Sequence, residues 1–112
     1  MTQEFINHIK ELIEKKDSVL LQEAVSKLHP ADIAEICLEL TTEQARFLYR
    51  QIDNETAADA LIEMDEDLRN ELLEELPSEA IAKRFVNYMD TDDAVDIIRD
   101  MDEEKQEEVL SN

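Results

Sequence analysis

Three aspartates are the residues of this chain whose type and spacing could do chemistry. Asp92 and Asp96 lie four apart in TDDAVD, and so on one face of any helix there. Asp59 stands in the middle of the run ETAADALIE. Like charges one turn apart repel, so the pair needs a counter-cation unless solvent and salt suffice. Asp92 has a plain alternative duty, because acids favour the first turn of a helix. Asp59 and Asp96 fall in mid-helix, where aspartate is a poor helix former. Carboxylate oxygens on rigid elements suit a hard divalent cation, and Mg²⁺ keeps several waters while taking only one or two carboxylates. For any single acid, a solvated face is the plainer reading.

Other chemistries fare badly. Carboxylate pairs abound, but none neighbours a histidine, and no nucleophile motif is present. The chain has no glycine, hence no phosphate-cradling loop and no dinucleotide fingerprint. The segment DTDDAVDIIRD lacks the sixth-position glycine and the spaced ligands of a calcium hand. His8 and His29 are far apart and neither has zinc-ligand spacing. The expectation is a protein that is not an enzyme.

Charge sharpens the reading. The formal net charge is −19. Residues 1–50 carry nine acids against six bases, and residues 51–112 carry 21 against five. Such a field repels nucleic acid and anionic lipid headgroups and attracts metal cations or a basic partner. Cys37 is alone, within Ile33, Ile36 and Leu40, and reads as core in a chain without disulfides. No signal peptide or membrane-length apolar run is present.

The elements that must position these acids follow from an apolar ruler. Leu28, Leu40, Ile52, Met64 and Leu76 are spaced by twelve, then Met89 after one extra residue, then Met101. A period near twelve fits one short helix plus a tight corner. Cap-and-acid signatures open the units: Thr41 or Thr42 before Glu43, Asp53 before Glu55, Asp65 before Glu66 and Ser78 before Glu79. The pattern predicts helices over 3–16, another opened by Asp17 or Ser18, then 30–39, 42–51, 54–63, 66–75, 78–88, 91–100 and one from 103. Phe5, Ile6, Ile9, Leu12 and Ile13 face inward from the first, and Leu20, Leu21, Ala24, Val25 and Leu28 from the second. The later inward set is Ile33, Ile36, Leu40, Leu48, Ile52, Leu61, Met64, Leu68, Leu72, Leu73, Leu76, Ile81, Phe85, Met89, Ile97, Ile98 and Met101. Hydrophobic residues at 43% suffice for one domain over residues 1–112 despite 37% charged. Helices this short are marginal alone and persist by stacking. The fold expected is all-α: a solenoid of short single-helix repeats, cut from a longer protein.

LHPADIAEICLEL, AADALIEMDEDLRNELLEELP and the DDAVDIIRDMD segment resemble the N-terminal cytosolic domain of the MgtE family of magnesium transporters and channels. The resemblance implies a right-handed superhelix of short helices on the cytoplasmic side of a bacterial cell membrane. A CBS-domain pair and a dimeric transmembrane pore follow it in the family, so homodimer contacts belong to the missing domains. It implies a magnesium sensor in which acids of this domain share Mg²⁺ with the CBS domains of the same polypeptide. Carried over, the bridging acids fall on Asp59, Asp92 and Asp96. The extra residue before Met89 leaves Asp93 as the substitute for Asp92. With half of each site present, bound Mg²⁺ is expected to be weak or absent in this chain alone. No nucleic acid and no direct membrane contact are expected. The alternative is an acidic helical adaptor for a basic peptide, similar in kind to motor-switch proteins.

Overall fold

Every residue of the apolar ruler has the same backbone role. The amides of Leu28, Leu40, Ile52, Met64, Leu76, Met89 and Met101 each donate to the carbonyl three residues earlier, at 3.0–3.4 Å. Such a bond tightens the last turn of a helix and satisfies one orphan carbonyl. The next residue is extended, with φ between −54° and −77° at His29, Thr41, Asp53, Asp65, Pro77, Asp90 and Asp102. Its carbonyl accepts from the amide four residues on, at 2.9–3.2 Å, and the next helix begins. No step needs a positive φ, so seven such corners form in a chain without glycine.

These corners cut the computed structural model, which describes residues 2–111, into nine α-helices and one 3-10 turn, with no strand among the described residues. They are α1 (Gln3–Glu14), α2 (Ser18–Val25), α3 (Pro30–Cys37), α4 (Thr42–Arg50), α5 (Asn54–Glu63), α6 (Glu66–Glu74), α7 (Ser78–Arg84), α8 (Thr91–Arg99) and α9 (Glu103–Leu110). The two end residues of the expected 1–112 domain lie outside the described residues. The all-α class is as expected. Helices pack alternately: α3 on α5, α5 on α7, α7 on α9, and α4 on α6, with α1 against α2 and α4. The body measures 40 × 22 × 22 Å, and alternate stacking along it is compatible with a solenoid.

The expected helix over 78–88 is broken. α7 ends at Arg84, Phe85 turns with φ −115° and ψ −61°, and a 3-10 turn runs Val86–Tyr88. This is where the extra residue is absorbed: the tighter 3-10 turn brings Met89 back to its corner bond. Phe85 is buried and meets Tyr49 edge-on at 5.9 Å, which holds the break in place.

The inward set is largely in the core. Ile33, Ile36, Leu40, Leu48, Leu61, Met64, Leu72, Leu73, Ile81, Phe85 and Ile97 are buried, and Ile52, Leu68, Leu76, Met89, Ile98 and Met101 pack against them half-buried. Leu20 is a correction. It is 48% exposed, because α2 is short and turns only Leu21 and Val25 fully inward. Cys37 is fully buried, and burial pushes its thiol up to about 12.

One corner is built differently. α1 closes in a Schellman motif: Asp17 N–H donates to Leu12 O and Lys16 N–H to Ile13 O, both at 3.0 Å. Lys16 takes φ 55° there, the only positive φ among the described residues. A lysine in left-handed backbone is strained by its Cβ.

Replacing Lys16 by glycine should therefore stabilise the fold by roughly 0.5–1 kcal/mol, relief of strain less the looser unfolded chain. A urea midpoint that falls in Lys16→Gly contradicts this. Cys37 should resist a thiol reagent at pH 8 and react at the rate of global unfolding, since only the thiolate is nucleophilic. Rapid labelling under native conditions would contradict the burial.

Candidate functional site

Local sequence sets the face that α8 presents. Asp90 is its extended N-cap, and Asp92 and Asp93 occupy the first turn, where carboxylates complement the helix dipole. Ile97 turns into the core and Ile98 lies half-buried against it. The opposite stripe is Asp92, Val95, Asp96 and Arg99, all exposed. Asp93 points partly inward and is half-buried. Arg99 approaches Asp96 at 4.0 Å, but both side chains are about 70% exposed, at 71% and 68%. A pair that open to water contributes little. Val95 is 46% exposed between the two acids, an apolar contact point on a charged stripe.

Asp59 sits on a different kind of helix. Ala57, Ala58, Ala60 and Leu61 of α5 are all fully buried, because α5 is packed between α3 and α7. Small side chains let those helices approach closely. The solvent strip that remains carries Glu55, Asp59 and Glu63, each four residues from the next and each exposed. No cation pairs with any of the three among the described residues. Like charges at this spacing cost a few tenths of a kcal/mol per pair. The single-residue reading singled out Asp59 and missed its two neighbours, although the four-residue spacing was legible.

Asp92 and Asp96 thus share one face, and Asp59 lies on a separate helix. No group of three or more His, Cys, Asp or Glu side chains converges in a metal-holding arrangement among the described residues. Each acidic stripe offers hard oxygen donors facing outward, a donor set that suits an incomplete site for a hard cation.

Other acids are committed to the fold. Asp17, Asp53, Asp65 and Asp102 accept from the amides of Leu20, Thr56, Leu68 and Lys105. Bonds from Thr56, through its side chain and its amide, hold Asp53 below the usual carboxylate range.

The bases of the acidic half were not anticipated as long-range ties. Arg84 Nη2 donates to the carbonyls of Tyr49 at 2.8 Å and Ile52 at 3.2 Å, while its Nε donates to Asn54 Oδ1 at 3.0 Å. It thereby caps the negative end of α4 from α7. Lys105 of α9 caps the carbonyl of Leu76 in the same way. Arg69 pairs with Asp100 at 3.2 Å, with only 14% of its side chain exposed. Ser78 Oγ donates to Glu108 at 2.7 Å, drawing the start of α7 onto α9. The only available signal was scarcity: five bases among residues 51–112.

A family model, the MgtE intracellular N domain, matches residues 28–112. The match opens on Leu28, the first residue of the ruler, so α1 and α2 lie before it. No curated protein matches the chain. Among the described residues no helix is long and apolar enough to cross a membrane.

Arg84→Met should cost about 2–3 kcal/mol, because it removes hydrogen bonds to the Ile52 carbonyl and Asn54 and one of the two donors to the Tyr49 carbonyl. Lys83→Met, removing an exposed pair with Glu79, should change stability by less than about 0.5 kcal/mol. Equal urea midpoints for the two variants would refute the tie.

Proposed function

The chain belongs to the MgtE intracellular N domain family, a cytosolic domain associated with magnesium transporters and not an enzyme family, and from that premise we propose that it senses magnesium and regulates transport. The observation that carries the reading is the pair of outward acidic stripes. Glu55, Asp59 and Glu63 have no cation partner, and Asp92 and Asp96 share only the loose Arg99 contact. Repulsion of this kind persists only where solvent or a divalent ion offsets it.

On this reading the partner is the CBS pair of the same polypeptide, within a homodimer on the cytoplasmic side of the membrane. Asp59, Asp92 and Asp96 hold part of the oxygen shell of shared Mg²⁺, and the partner's acids hold the rest. When Mg²⁺ is scarce, the two acidic surfaces repel and the domain stands off. When it is abundant, shared ions make docking favourable, and Val95 adds an apolar contact between the acids. The coupling is allosteric because the ion prefers the docked state. The exposed placement of all three acids supports this division of the ligand shell.

In the complete transporter, changing Asp59, Asp92 and Asp96 together to alanine should leave the domain folded, each change costing no more than about 0.5 kcal/mol. Magnesium-dependent current should then fail to close at ion levels that normally close it. Glu35 and Glu39, exposed acids at the end of α3, are the matched control. Identical magnesium dependence for the triple variant and the glutamate control would remove the assignment. In this chain alone, melting in MgCl₂ should exceed melting in NaCl at matched ionic strength only slightly, since the partner acids are missing.

A further inference from the structure

One region of this acidic chain runs against its overall charge. Arg46 and Arg50 of α4 and Arg84 of α7 line a single cavity of about 300 Å³. Its walls include Tyr49, Leu72 and Leu76, so the three guanidiniums stand over a largely apolar floor. Three of the chain's 11 bases are gathered here, in a molecule with 30 acids.

Their charges are poorly compensated. Arg50 has no ion-pair or hydrogen-bond partner among the described residues. Arg46 meets Glu75 only at 3.6 Å, and its Nε is buried without a hydrogen-bond partner. Arg84 is held by carbonyls and Asn54, with no carboxylate. Burial, and after it the neighbouring charge of Arg50, hold the Arg84 guanidinium below its usual pKa. Three cations that share one loosely placed carboxylate, in a chain with acids to spare, leave a place for an anion that the fold does not itself supply.

We propose that this cavity binds a small organic anion, a carboxylate or phosphate group joined to a flat apolar body. The planar guanidinium forks match the oxygens of either group, often in bidentate fashion. The apolar floor takes the body, and the volume lies at the small end of ligand pockets. The net charge of −19 opposes any anion at long range, but the Debye length of about 8 Å at physiological ionic strength screens the distant acids. Contacts inside the cavity act well within that distance. This site is separate from the acidic stripes and does not rest on the reading given to them.

The test is an NMR titration of the 112-residue chain with phenyl phosphate and with benzoate, following the Nε–H signals of Arg46, Arg50 and Arg84. Inorganic phosphate and phenol serve as the separate halves of the probe. Saturable shifts with either organic anion, weaker ones with each half, and about a tenfold loss of affinity in Arg50→Gln are expected. Arg50 has no structural partner, so the variant should melt with the parent chain. Lys83→Gln, altering a cation paired with Glu79 outside the cavity, should bind normally. Shifts that never saturate, that NaCl reproduces at equal ionic strength, or that survive unchanged in Arg50→Gln would overturn the proposal.

Discussion

Helix ends are the constraint on which this molecule depends. A helix leaves four amides and four carbonyls without intrahelical partners, so a helix of eight residues leaves roughly half its backbone groups to be satisfied from outside. The nine α-helices of the described residues, seven to twelve residues long, multiply that demand. Aspartate and threonine side chains take up amides at the N-termini. At the C-termini the ruler residues return one amide each to the preceding turn. Arg84, Lys105 and the Gln106 side chain then reach the carbonyls of Ile52, Leu76 and Met101. The three ruler residues so capped are also packed against the core, so polar closure and apolar burial meet at the same corners.

This accounting divides the acidity into parts with different physical roles. The N-cap acids Asp17, Asp53, Asp65 and Asp102 are bound to backbone amides and cannot be surrendered to a ligand without loosening a corner, whereas Asp90 makes no such bond. Asp100 and Glu75 are paired with arginines that are themselves mostly covered. Of the acids that remain free, those on α5 and α8 form stripes along the one helix face that packing leaves to solvent. The acidity counted from the sequence is therefore partly structural and partly available. Only the available part is open to an external cation.

The bases show the complementary arrangement. Those of residues 51–112 mostly bind the stack together, while Arg46 and Arg50 approach Arg84 around an apolar cavity. An acidic surface with one small basic cavity edge gives the domain two chemically opposite patches. On the two proposals, a cation shared with a neighbouring domain and an anion held at the cavity would act at separate places and through separate residues.

The repeat, the helices and most of the core were legible because they follow from neighbours in sequence. A residue at the end of one turn and a cap at the next interact over three or four positions, so the ruler and its acids specify each corner locally. Asp92 and Asp96 shared a face for the same reason, fixed by 3.6 residues per turn. Tertiary structure alone settled the rest. The break at Phe85 depends on its meeting Tyr49, 36 positions earlier. Leu20 lies exposed because no neighbouring helix covers that side of α2. The reach of Arg84 to Tyr49 and Ile52, and of Lys105 to Leu76, spans 29–35 positions. Such contacts arise because α5 stacks on α7 and α7 on α9, which brings corners two helices apart within reach. That stacking is a non-local outcome of burying many short stripes together, and no single stripe contains it.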